Sequence, residues 1–147
     1  MGVELDLVLA PVDTSDESER AVDYAIAVAD RYDAKLHVLH VLDERVARGI
    51  ETGDVTAASV AEKHRAFTDR IREQLDDSIA LSNSSAAGFS AQRLTQTPGS
   101  VILDAAEEVD ADFLVVPRET DTEQLDATLG KAALYVLESA SQPVLSV

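Results

Sequence analysis

A chain of 147 residues with 46% hydrophobic content has the size and apolar share of one ordinary domain, able to bury a core without metals or crosslinks. It contains no cysteine, which excludes disulfides, thiolate metal sites and cysteine nucleophiles and fits an intracellular compartment. Its 28 acidic residues against 12 basic ones, a formal charge of -16, repel nucleic-acid phosphates and anionic membranes, so neither is an expected partner.

The run from Leu5 to Val12 is almost continuously apolar and ends at Pro11-Val12, the pattern of a strand buried on both faces. It is too short for an export signal or a membrane span, and no basic region precedes it, so a soluble cytoplasmic protein is expected. Thr14 and Glu17 stand at capping-box spacing, and Val22, Ala25, Ile26 and Ala29 follow at helical intervals, which predicts the first helix. Asp33-Ala34 breaks that period, and Leu36 to Leu42 reads as a second buried strand, parallel to the first.

From Asp43 to Thr56 the chain is polar and carries Gly49 and Gly53, which predicts a mobile loop, a candidate lid. Val60, His64, Phe67, Ile71 and Leu75 mark one face of the second helix. Leu81 to Gly88, with its Ser-Asn-Ser-Ser core, reads as a connection, and the third strand is expected near Phe89 to Gln96. Thr97-Pro98 starts the third helix, whose buried stripe is Val101, Ile102, Ala105, Ala106 and Val109. Phe113 to Val116 is the fourth strand, stopped by Pro117. A polar segment runs to Thr128. Ala133, Val136, Leu137 and Ala140 mark the fourth helix, and Pro143 to Val147 the last strand. No repeat or linker interrupts this alternation, so residues 1–147 are expected to form one doubly wound α/β domain with an open parallel sheet and helices on both faces.

The opening Leu-Val-Leu-Ala-Pro-Val-Asp-Thr-Ser with Ser18-Glu19-Arg20-Ala21, the strand Leu36 to Val41, Ala111 to Val116, Leu129-Gly130 and Gln142 to Leu145 together resemble the universal stress protein family. The resemblance covers nearly the whole chain outside residues 44 to 90. It implies a five-stranded sheet of order 3-2-1-4-5 with its ligand crevice beyond strands 1 and 4. It also implies an adenosine half-site at Pro11, Val12, Asp13 and Val41, and a dimer formed through Val144 to Val147. The nucleotide-binding branch of the family carries three spaced glycines and then a serine or threonine after strand 4. Here those positions hold Pro117, Thr120, Gly130 and Lys131.

Proline has no N–H to give a phosphate, and a β-branched threonine resists the positive φ that a glycine turn uses. The loop also gathers Glu119, Asp121, Glu123 and Asp126 around Arg118. The first reading is therefore a non-enzymatic, dimeric stress-response protein without high-affinity ATP binding. The alternative is an adenine-nucleotide sensor, for ATP or AMP, with a remodelled phosphate loop; a slow ATPase ranks below both. Asp13 reads equally as a ribose acceptor or a turn carboxylate. Lys131 is either a solvated helix-end lysine or a charge for a phosphate, and Gly130 reads first as a packing or turn glycine and second as a phosphate-binding one.

The three histidines carry no metal motif. His37 and His40 sit an odd number apart in a strand and so face opposite sides, which makes them ordinary strand residues, and His64 reads as a satisfied core residue of the second helix. The acidic residues are spread through amphipathic segments, the pattern of a solvated surface suited to a salt-rich cytoplasm. At 1 M salt a Debye length of about 3 Å screens their mutual repulsion, and unfolding at low salt is the matching behaviour.

Overall fold

The apolar runs at residues 7–12 and 35–42 have no polar face to turn toward water, and in the computed structural model they become adjacent inner strands of one sheet. The structure describes residues 4–13, 16–42, 44–75, 77–87, 98–117 and 128–147. In chain order the elements are β1 (Leu7–Val12), α1 (Asp16–Tyr32), β2 (Lys35–Leu42), α2 (Glu44–Thr52), α3 (Ala57–Gln74), β3 (Leu81–Ala87), α4 (Pro98–Glu108), β4 (Phe113–Val116), α5 (Thr128–Ser139) and β5 (Val144–Ser146). The strands lie in the order β3-β2-β1-β4-β5, and every neighbouring pair is parallel.

Alternation along the strands divides the core. Val8, Ala10 and Val12 of β1 pack with Leu36 and Val38 of β2 against α1 and against Ile71 of α3. Leu9, Leu39, Val41 and Leu114 pack on the opposite face, against Ile102 and Ala106 of α4 and Ala133 and Val136 of α5. Leu137, expected in the buried stripe of α5, is instead 46% exposed, because the α5 contact runs through Ala132, Ala133 and Val136.

Two expected connections are regular elements. The segment read as a mobile loop holds α2, with Gly53 ending it at φ 83°. Gly49 sits inside that helix because a Cβ there would meet Val55 Cγ2 at 2.8 Å, where the chain folds back with Val55 N–H donating to the Gly49 carbonyl at 3.0 Å. The glycines thus mark a close return. The stretch read as a connection, Leu81 to Gly88, supplies β3; the strand expected at Phe89 to Gln96 lies outside the described residues. Being an edge strand, β3 tolerates serines, and two of them share one partner: Ser82 and Ser84 hydroxyls flank the His37 ring nitrogens at 2.7 and 2.8 Å.

The ends of α1 and α4 use the same device. Asp33 and Asp110 both adopt φ 54°, and the next residue's N–H returns to a carbonyl five residues back, Ala34 to Ala29 and Ala111 to Ala106, each at 2.9 Å. That is a left-handed helix terminus in which aspartate stands where glycine is commonest. Two residues on, the Asp112 carboxylate accepts the N–H groups of Asp6 and Leu7 at 2.9 and 3.1 Å, clamping the start of β1 to β4 through charge-assisted bonds.

Candidate functional site

Parallel strands deliver all their carboxyl ends to one edge of the sheet, and in open α/β sheets ligands collect there. A cavity of about 390 Å³ lies at that edge beyond β1 and β2, walled by α1, α2 and α3. Val12 and Asp13 enter it from β1, His40, Val41 and Leu42 from β2, and Val46 from α2; Val60, Lys63, His64 and Phe67 come from α3. Most of the lining is apolar, with a few polar groups converging on it, the usual make-up of a small-molecule site.

Asp13 is held in place by Ser18, a fully buried residue of α1. The Ser18 hydroxyl accepts from Asp13 N–H at 2.9 Å and donates to Asp13 Oδ1 at 2.7 Å. The aspartate therefore acts as a turn carboxylate while it also borders the cavity. Arg70 of α3 lies at the rim, 3.7 Å from Glu19 of α1 and over the Phe67 ring.

His40 and His64 belong to the same wall. His40 and His64 stack with ring centroids 4.2 Å apart and 10° between planes, and Phe67 meets His40 edge-on at 5.9 Å. His40 Nε2 lies 3.2 Å from Thr68 Oγ1, and His64 Nδ1 lies 3.2 Å from Ser85 Oγ of β3. Burial, then the neighbouring His64 and His37, push His40 down to about 4. Burial also lowers His37 and His64. Neutral imidazoles stack without charge repulsion, as burial of the pair requires. His37 does face the opposite side of the sheet. His64, however, is a half-buried cavity residue and not a core one.

Of the six residues nominated from the sequence, Val12, Asp13 and Val41 come together at the cavity. Pro11 is buried one residue back, just past the Val8 and Leu9 positions that register with β4, where its missing N–H breaks no ladder bond to that strand. Gly130 and Lys131 fall at the start of α5, a helix that packs on the opposite face from α3. Pro117 is buried at the end of β4, and Thr120 lies outside the described residues. The wall of His40, His64 and Phe67 was missed. Its signal was the spacing of His64 and Phe67 with Val60 and Ile71, which aims a histidine and a phenylalanine at the strand carrying His40.

Among the described residues no cluster of three metal-ligating side chains occurs, and no helix is long and apolar enough to cross a membrane.

Residues 5–147 match the profile of the Universal stress protein family. A universal stress protein A homolog of Haemophilus influenzae is 31% identical over 116 residues, 78% of this chain and 77% of that protein. Among solved structures, the universal stress protein UspA from Lactobacillus plantarum superposes with a TM-score of 0.73 at 21% identity, covering 99% of each chain. A universal stress protein in complex with cAMP gives 0.66 at 23% identity, covering 99% of this chain and 98% of that one.

Proposed function

This chain belongs to the universal stress protein family, and on that premise we propose that it is a stress-response protein whose cavity receives the adenosine part of a small nucleotide, with the phosphates adding little to the grip. One observation carries the reading: the cavity of about 390 Å³ brings Val12, Asp13 and Val41 to one apolar crevice of the size that holds a heterocycle and its sugar. The Val12, Val41 and Phe67 side chains suit the faces of a purine, and the half-buried Asp13 carboxylate suits a ribose hydroxyl. That a structural relative is described in complex with cAMP supports an adenine ligand. The weak phosphate grip is argued from Pro117 and Thr120, which replace the residue type that leaves backbone N–H groups free to cradle phosphate. In this reading the protein binds and does not turn over its ligand.

A thermal-shift series in molar KCl tests it. Adenosine, AMP and ATP, each at 100 times its dissociation constant, are expected to add about 2.7 kcal/mol and raise the midpoint by about 5 to 10 °C, with the three dissociation constants alike. Much tighter ATP binding would restore a phosphate grip and overturn the weak-phosphate part. No shift with any of the three would remove the ligand altogether.

The second part of the proposal is a homodimer through β5. That strand is last in the sheet order, with β4 on one side, and Val144, Leu145 and Val147 are only half-buried. An apolar edge of this kind suits antiparallel pairing with a second copy. Light scattering in high salt is expected to return twice the chain mass at micromolar concentration, and a monomer would end this part.

A further inference from the structure

Helix α3 is 18 residues long yet buries only two side chains, Thr68 and Ile71, so much of its hold on the sheet passes through contacts around the cavity. His40 is the centre of those contacts. His64 stacks on it at 4.2 Å, Phe67 meets its edge, and Thr68 reaches its Nε2. We infer that the His40–His64 stack is a proton-operated latch: protonation unseats α3 from β2 and opens the cavity. Release of a ligand in acid, the consequence for function, rests on the adenosine reading given above; the latch itself does not.

The physical case is one of linkage. In the seated state His40 is buried, so a proton on it loses its hydration, and protons on both stacked rings set two like charges with ring centroids 4.2 Å apart. The surroundings do not offset this. Among the described side chains at the cavity, α3 adds Lys63 and Arg70, α2 adds apolar Val46, and the carboxylates are Asp13 after β1 and Glu19 of α1. Asp13 is engaged by Ser18 at 2.7 Å and Glu19 lies 3.7 Å from Arg70. β3 offers the neutral Ser85, and His37, on the other face of β2, adds to the charge opposing His40.

Once α3 lifts, both rings meet water and take up protons near the ordinary value of about 6.5. Below that pH His40 weakens seating by about tenfold per pH unit until its seated-state value of about 4 is reached, and His64, lowered by burial, acts in the same direction. Between about pH 6.5 and about pH 5 the imidazoles that gain water when α3 lifts carry the difference in proton uptake between the lifted and seated states.

Methyl-resolved NMR of the protein in molar KCl tests the latch. On acidification from about pH 7 to about pH 5, the Val12, Val46 and Val60 methyls are expected to shift together. Those of Leu114 and Val136, on the far face, should hold until the whole domain unfolds. His64→Phe keeps a ring for stacking but removes one proton site, so its cavity transition should fall to lower pH with a shallower slope. Cavity and far-face methyls moving as one at every pH would overturn the latch, as would an unchanged transition in His64→Phe. Should that variant fail to fold, the two-face comparison in the wild type still decides. Adenosine separates this inference from the functional reading: no binding near neutral pH sinks the ligand and leaves the methyl result to judge the latch. Equal affinity after the cavity methyls have shifted sinks the latch and spares the ligand.

Discussion

Acidification from about pH 7 to about pH 4 will cost this domain about 3 kcal/mol of stability through His40 alone. The folded-state value of that group lies near 4, below its ordinary 6.5, so the unfolded chain binds the proton more readily than the folded one. Stability is therefore fully present above about 6.5 and is lost progressively as the pH falls toward 4. His40 is 3% exposed, so solvent screening does little to reduce the effect. His37 and His64 act in the same direction, since burial lowers both. Midpoints measured across this range in molar salt should fall by about 5 to 10 °C. His40→Phe should flatten the profile, because it keeps the packing against His64 and removes the group with the largest displacement. A wild-type midpoint that does not move between pH 7 and pH 5 would contradict the neutral stacked pair.

Leu9→Ala is expected to cost about 3 to 5 kcal/mol, whereas Leu134→Ala should change stability by about 0.5 kcal/mol or less. Leu9 is 0% exposed and Leu134 is 59% exposed. Leu9 occupies the centre of β1, in register with His37 on one side and Leu114 on the other, and packs against the α4 and α5 face. Truncation there leaves a cavity between layers that helices on one side and strands on both sides hold apart, so little relaxation can fill it. Chemical denaturation of the two variants checks the contrast, and a loss below about 1 kcal/mol for Leu9→Ala would mean that the sheet face repacks.

The inner strands were legible because burial on both faces leaves no polar residue in the run, as Leu36 to Leu42 shows apart from its two histidines. Helix α1 was legible for the opposite reason: Val22, Ala25 and Ala29 recur on one side and are buried against the sheet. β3 was illegible because an edge strand has one ladder partner and water on its other side, so Leu-Ser-Asn-Ser-Ser lacks the apolar pattern of a strand. Its serines make sense only against His37 and His64, residues 45 and 21 positions away. α2 was illegible because Gly49 and Gly53 look like breakers until Val55 is seen folding back over the first of them.

Local pattern alone set the layers: which runs are strands buried on both faces, and which helices present an apolar stripe. These follow from local periodicity and from the handedness of β-α-β crossovers, which need no knowledge of distant contacts. That His40 and His64, 24 positions apart in the chain, share a wall follows from the packing of α3 on the sheet. Their ring separation of 4.2 Å depends on how far along β2 helix α3 is seated, and that distance is set by Phe67, Thr68 and Ile71 packing together, not by the spacing of any motif.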